Sequence, residues 1–305
     1  MTLETTSPAL LNTEFVLTIN GQSAPAAADT APVYNPATKA VIARVPLASK
    51  EQLDDAVAAA EAAFPRWAAT PLADRQAVVA AIGDRLEQRA QDFIELLTSE
   101  QGKPRPMAEW EVYGSILWFK EYAKQSLATE VVVDDDARRV ISRYTPLGVV
   151  GAIVPWNFPI LLTVRKIAPA LVAGNTMIVK PSPFTPLCDL KLVELVQDLL
   201  PKGVLSALSG DDELGKWMTG HPRIAKISFT GSTEAGKHVM ASAARTLKRV
   251  TLELGGNDPA IVLPDVDPEK VAPQLFWAAF QNNAQFCNAA KRVYIHDDVY
   301  DAVRD

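Results

Sequence analysis

Between Val149 and Leu263 the chain alternates short apolar runs with helical stretches, and no other feature narrows the choice of fold so far. The runs are Val149–Val154, Thr176–Lys180, Val204–Leu208, Ala225–Thr230, Val250–Leu254 and Ala260–Leu263. Strands that read as almost continuous apolar segments are buried on both faces, which is the situation of a parallel sheet with helices packed above and below it. The expected fold is therefore α/β, built on a doubly wound parallel sheet. A stretch inside this region, Tyr144 to Val164, carries no charge and has the length of a membrane span. Pro155 and Pro159 bracket Asn157 within it, and a spanning helix would have to bury that interruption in lipid, so a buried strand followed by a turn is the better reading.

Upstream of the alternation the pattern is helical. Residues up to about Pro32 are rich in Ala, Thr, Ser and Pro and read as an arm with at most a short strand around Phe15 to Ile19. Ser49 and Gln52 have the spacing of a capping box, and Leu53, Val57, Ala60 and Phe64 follow on one helical face. Thr70-Pro71 opens a second helical region with Val78, Val79, Ile82 and Leu86 as its apolar stripe, and Gly102 with Pro104 marks where it stops. A third helix, from about Met107 to Lys124, carries Trp110, Tyr113, Trp118 and Phe119 at a spacing expected of core. Val131–Val133 and Arg139–Tyr144 read as two strands joined by an acidic turn, with a polar second strand that has the character of a sheet edge.

Charge and cysteine content exclude several classes of function. A net charge of -6 with acids and bases interspersed carries neither a nucleic-acid footprint nor a membrane-surface patch. Two cysteines in 305 residues rule out a disulfide framework and fit a reducing compartment. His221, His238 and His296 have no metal-ligand spacing to one another or to Cys188 and Cys287, so no metal is expected. No Lys or Arg precedes Lys39, which is neither a secretory nor a transit pattern, and the expected location is cytoplasmic.

Three segments carry candidate chemistry. Gly231-Ser-Thr-Glu-Ala-Gly-Lys-His closes one strand and opens a helix, where an open α/β sheet binds phosphate through helix N-terminal amides. It is not a working P-loop: His238 stands where a hydroxyl must hold magnesium, and Glu234 puts a negative charge in the cradle. A capping turn without a ligand is the alternative reading, and the Gly-x-Gly-x-x-Gly dinucleotide fingerprint is absent. Further on, Glu253-Leu-Gly-Gly precedes the stretch Phe280 to Arg292, which has Cys287 at its centre and Lys291 and Arg292 nearby. A thiolate favoured by neighbouring cations is a strong nucleophile, whereas a lone cysteine in an apolar stretch is more often a packing residue than a chemical one.

Taken in order, Pro155-Trp156-Asn157-Phe158-Pro159, Val179-Lys180-Pro181-Ser182, Phe229-Thr230-Gly231-Ser232, Glu253-Leu254-Gly255-Gly256 and the Cys287 segment form a series that resembles the aldehyde dehydrogenase superfamily. The resemblance extends from about Val16 to Asp305. It implies a modified Rossmann-type sheet that lacks the usual glycine fingerprint, so the missing motif does not count against a nicotinamide cofactor. It further implies a dinucleotide-binding domain over 1–128 and 146–253, an oligomerisation hairpin over 129–145, and the beginning of a second α/β catalytic domain over 254–305. By the same resemblance Cys287 is the nucleophile towards an aldehyde, Asn157 an oxyanion donor and Glu253 the general base. Ile153, Pro155, Trp156, Lys180, Gly210, Phe229, Gly231, Ser232, Gly236 and Leu254 match positions that line the cofactor, NAD or NADP.

The departures from the family pattern carry their own expectations. Pro183 stands where NAD-preferring members often have glutamate, which leaves NAD and NADP both open. Ala284 replaces a glycine three residues before the cysteine. The family continues well past the position of Asp305, so the resemblance implies a chain truncated within its catalytic domain, without the strand that pairs with the hairpin. The expected activity is oxidation of a small-molecule aldehyde to a carboxylic acid, by an enzyme that forms homo-oligomers where that strand is present. The alternative is a catalytically incomplete fragment, or a non-enzymatic module that binds the cofactor or a partner through the same fold.

Overall fold

The computed structural model describes residues 9–27 and 29–305. The short strand expected near Phe15 to Ile19 is present and, with a second one after it, joins the edge of the main sheet; the first eight residues of that arm and Ala28 lie outside the described ones. Leu17–Ile19 (β1) and Gln22–Ala24 (β2) form an antiparallel pair across the left-handed residues Asn20 and Gly21. Phe15, Val16 and Leu17 are buried, and that apolar triad gives the segment a reason to dock. Thr30–Tyr34 (β3) and Val41–Pro46 (β4) form a separate antiparallel pair.

Ser49 then caps Lys50–Ala69 (α1) with the full reciprocal box, its hydroxyl accepting from Gln52 N–H while the Gln52 side chain accepts from Ser49 N–H. The helical region after Pro71 divides at Arg89 into Leu72–Gln88 (α2) and Ala90–Gln101 (α3). The second of these ends at Gly102, whose φ of 82° is open to glycine at little cost. In Arg105–Tyr122 (α4) the buried stripe is Ala108, Glu111, Val112, Ser115, Ile116 and Phe119, packed between α2 and the helix Pro159–Val172. The expected aromatic core is half present: Phe119 is buried and Trp118 packs partly buried against the core, while Trp110 and Tyr113 are about half exposed, at 52% and 48%, because they fall off that single stripe. Glu130–Asp134 (β5) and Arg139–Ser142 (β6) make the expected hairpin, exposed along most of its length and paired with no other described strand.

The alternating region builds Val149–Ile153 (β7), Pro159–Val172 (α5), Thr176–Lys180 (β8), Leu187–Leu195 (α6), Leu205–Ala207 (β9), Asp212–Gly220 (α7), Lys226–Thr230 (β10), Thr233–Ala244 (α8) and Arg249–Glu253 (β11). The sheet runs β11-β10-β7-β8-β9-β1-β2, with its five central and outer strands from β7 to β11 parallel and the β1–β2 hairpin antiparallel at one edge. It is covered on both faces, and β8 displays the two-residue period directly. Met177 and Val179 enter the cluster made by α2 to α6, while Ile178 enters the cluster made with α1, α7 and α8.

Strand order reverses at β7, since β8 and β9 step away on one side and β10 and β11 on the other. In open α/β sheets the crevice at such a reversal, outside the carboxyl ends of the strands, is where ligands bind. The sixth apolar run lies in a different sheet. Asp258–Val262 (β12) pairs parallel with Ala290–Ile295 (β13), joined through Pro268–Phe280 (α9), and Tyr300–Arg304 (α10) follows.

Candidate active site

Every residue expected to line a cofactor sits at the carboxyl edge of the parallel sheet. Ile153 ends β7 and leads through Pro155 and Trp156 into the turn before α5, and Lys180 ends β8. Gly210 follows β9, Phe229, Gly231 and Ser232 span the exit of β10, Gly236 lies in the first turns of α8, and Leu254 follows β11. Gly231 N–H donates to Glu253 O at 3.1 Å, which ties the exits of β10 and β11 together. Ser232 caps α8 through its hydroxyl, which accepts from Ala235 N–H at 3.1 Å. At Gly236 a β-carbon would stand 2.6 Å from the Leu254 side chain, so the missing side chain lets α8 close onto β11.

Lys180 tests whether this edge suits a sugar-bearing ligand. Its side chain is buried, and among the described residues its amine finds one acceptor, the Pro181 carbonyl, at a weak 3.5 Å. Burial pulls that amine down to about 8, against the pull of Asp212 and Asp211. A buried donor short of acceptors is costly until something supplies them, and the hydroxyls of a ribose would do so. The edge therefore fits a dinucleotide.

Asn157, Glu253 and Cys287 lie on three segments that touch. Asn157 Nδ2 donates to Gln285 O at 2.7 Å, and Asn282 Nδ2 returns a bond to Asn157 O at 3.1 Å. The loop that bears Cys287 is thereby fastened to the turn after β7. From the other side Gly256 abuts it so closely that a β-carbon there would stand 2.7 Å from Cys287 O. Lys291 and Arg292, expected as cations for the thiol, are engaged with backbone, donating to Gly256 O at 2.7 Å and Asn257 O at 2.9 Å. Cys287 is exposed, so it is not the packing cysteine; that description fits the fully buried Cys188.

The contacts also limit what is assembled. Asn157 Oδ1 is buried without a partner among the described residues, and its amide is already engaged by Gln285. The Glu253 carboxylate is exposed at the end of β11 and makes no hydrogen bond or ion pair among the described residues. Approaching Cys287, the chain passes through three left-handed residues, Asn282, Asn283 and Ala284, at φ of 49°, 56° and 59°. A glycine at 284 would adopt that geometry freely, which accounts physically for Ala284 standing out in the sequence.

Two buried charged groups at the site escaped the sequence reading. Lys166, on the sheet-facing side of α5, donates to Thr230 Oγ1 at 2.8 Å and Ser228 Oγ at 3.2 Å. Burial holds its amine down near 8, with the nearby Glu253 charge opposing. The signal available was a pair of cations, Arg165 and Lys166, in an otherwise apolar helical stretch. The second group is the buried pair of Lys103 and Glu111, whose Lys103 reaches Asn157 from the turn between α3 and α4.

A sequence profile of the aldehyde dehydrogenase family matches residues 24–305. The chain belongs to the aldehyde dehydrogenase family. Within that family it is 40% identical over 299 residues to glutarate-semialdehyde dehydrogenase of Pseudomonas putida, an alignment covering 96% of this chain and 61% of the relative. The solved NAD+ complex of aldehyde dehydrogenase from Bacillus cereus superposes with a TM-score of 0.94 at 34% identity, covering 100% of this chain and 64% of that one. An NADP-dependent enzyme of Escherichia coli superposes with a TM-score of 0.92 at 34% identity, over 95% of this chain and 63% of that one. The α/β fold with its largely parallel central sheet is thus the fold of aldehyde dehydrogenases, and this chain spans about three fifths of the length of the relatives it matches.

Proposed function

We propose that this chain carries the site of an NAD(P)-dependent oxidation of a small-molecule aldehyde to a carboxylic acid. The supporting observation is the meeting of the Asn157 turn and the Glu253–Gly256 stretch at a loop with an exposed thiol, on the switch-point edge of the sheet. Cys287, as thiolate, attacks the carbonyl carbon and forms the C–S bond of a thiohemiacetal. The oxygen becomes an alkoxide, which accepts from the backbone N–H of Cys287 and from Asn157. A side-chain amide has two N–H groups, so Asn157 can serve the alkoxide while the other stays on Gln285. Loss of hydride from the same carbon would leave a thioester, and a nicotinamide ring, when bound, would supply the acceptor for that hydride. Glu253 then takes a proton from the water that cleaves the thioester, releasing acid and thiolate. A carboxylate at 253 favours hydrolysis over acyl transfer to coenzyme A or phosphate.

In this reading Lys180 holds the ribose hydroxyls, and Ile153, Pro155, Trp156, Gly210, Phe229, Gly231, Ser232, Gly236 and Leu254 line the dinucleotide. Pro183 in place of an acidic side chain is compatible with NAD and NADP alike. The segments 1–128 and 146–253 form the cofactor half, 254–305 begins the catalytic half, and the hairpin over 129–145 is a contact between copies. The protein works in the cytoplasm and on neither nucleic acid nor membrane; among the described residues no helix is long and apolar enough to cross a membrane.

The test is nicotinamide reduction by the purified chain with a simple aldehyde. Cys287→Ala should abolish it, and Asn157→Ala should lower kcat by about 10²- to 10³-fold, the usual effect of losing one oxyanion donor. A folded wild-type chain that reduces no cofactor would overturn the proposal. A second reading, cofactor binding without turnover, is favoured by α9, which buries none of its 13 residues and exposes Phe276, Trp277 and Phe280. It predicts self-association through that apolar surface. Size-exclusion chromatography showing a well-behaved monomer would count against it.

A further inference from the structure

Asn157 is held at its carbonyl as firmly as at its amide, and the group that holds it lies outside the sheet. Lys103, just past the left-handed Gly102, and Glu111, on the inner face of α4, form an ion pair whose side chains are both 0% exposed. Lys103 Nζ also donates to Asn157 O at 2.9 Å, the same oxygen that accepts from Asn282 Nδ2 at 3.1 Å. Glu111 uses its other oxygen, Oε1, to accept from Leu161 N–H at 3.3 Å in the first turn of α5. The ammonium stands 4.2 Å from the centroid of the Phe158 ring. The pair therefore grips the turn at residue 157 and at the two sites that follow it.

Stability alone gives a poor account of this arrangement, because two well-packed apolar side chains of similar volume commonly do as well as a buried ion pair or better. What apolar side chains cannot do is fix a carbonyl and an amide in register. The carbonyl of Asn157 is the junction: through it the ion pair reaches the backbone that aims the Asn157 amide, and through Asn282 it reaches the loop of Cys287. Resting on the function proposed above, we infer that Lys103 and Glu111 are positioning residues, which hold the Asn157 amide where the oxygen of a Cys287-bound substrate develops its charge. They touch no reacting atom themselves.

The experiment compares wild type, Asn157→Ala, the pair replacement Lys103→Met with Glu111→Leu, and the combination of all three changes. The pair replacement should fold with a denaturation midpoint near wild type, lower kcat by about 10²-fold and leave KM and the NAD dissociation constant largely unchanged. In the Asn157→Ala background it should cost little more, since groups acting through one another are non-additive. Unchanged kcat in the folded variant, or a loss that adds in full to that of Asn157→Ala, would overturn the inference. Should the pair replacement fail to fold, Glu111→Gln keeps the shape and the acceptor for Leu161, and is judged by the same outcomes. A second readout needs no turnover. The side-chain amide resonance of Asn157, assigned by its loss in Asn157→Ala, should be slow to exchange in wild type and move towards a solvent-exposed position in the variant. An inactive wild type in which that resonance still moves keeps the positioning role and overturns aldehyde oxidation; an unmoved resonance overturns the positioning role even in an active enzyme.

Discussion

Strands β8 and β13 are both parallel members of a β-α-β unit, yet every residue of the first is buried and none of the second is. Their helices differ in the same way: α5 buries ten residues, among them Ile160, Val164, Ile167 and Leu171, while α9 buries none. Both strands are parallel-paired, but β8 lies between β7 and β9 and is apolar through its centre, whereas β13 pairs with β12 alone among the described strands and carries Lys291 and Arg292. Burial comes from further layers, and the main sheet has them on both faces, from α2 to α6 on one side and α1, α7 and α8 on the other. The position of β8 is consequently set by packing. That of the Cys287 loop rests on a few directed contacts, with Asn157 on one side and Gly256 on the other.

Four measurements would break or sharpen this contrast. The largest effect is expected in the covered region, where Phe119→Ala should destabilise the chain by about 3 to 5 kcal/mol, as read by chemical denaturation. A cost below that of a typical surface change would mean that α4 is not held by its core.

The next concerns Glu100, whose carboxylate accepts from Leu187 N–H at 2.7 Å and Cys188 N–H at 3.0 Å at the start of α6. Burial pushes it up from 4.5 to about 7, so the native state keeps a proton that the unfolded chain has already lost between those values. Stability should therefore be greatest below the lower value and fall as pH rises through the upper one, by at most about 3 kcal/mol. Glu100→Gln cannot ionise and should flatten the denaturation profile across that window; an unchanged slope would remove Glu100 from the account.

In the uncovered region the effects should appear in rate rather than in stability. Gly256→Ala puts a methyl group against Cys287 O and should cut turnover about 10²-fold through displacement of the thiol, with the denaturation midpoint little changed. The smallest effect is expected for Trp277→Ala on α9, which should alter stability by no more than about 0.5 kcal/mol. A loss there as large as that of Phe119→Ala would erase the distinction between the two regions.

Legibility in the sequence followed the range of the interaction responsible. The Ser49 cap was readable because its two hydrogen bonds span three residues, and the strands β7 to β11 were readable because burial on both faces leaves an apolar run. The docking of β1 was not, since it depends on Thr18 meeting Ala207, and nothing local to the arm announces that partner. Lys103, Glu111 and Lys166 were passed over for a related reason: charged side chains are ordinarily solvated, and only the folded chain puts these under cover. Trp110 and Tyr113 of α4 failed in the opposite sense, while Phe119 was core as expected, because spacing along a helix fixes which residues share a face but not how wide a face its neighbours will cover. Asn157 and Cys287 stood out through their motifs, whereas the carbonyl of Asn157, the atom to which the buried lysine is tied, belongs to the backbone and has no signature of its own.

The run of positive φ at Asn282, Asn283 and Ala284 has a mechanical consequence. Between the left-handed basin and the ordinary ones lies sterically forbidden ground, so none of these residues can drift gradually from its present torsion to a common one. The segment that delivers the thiol is thus a latch rather than a spring. To withdraw the thiol by unwinding these three residues therefore takes at least one backbone jump.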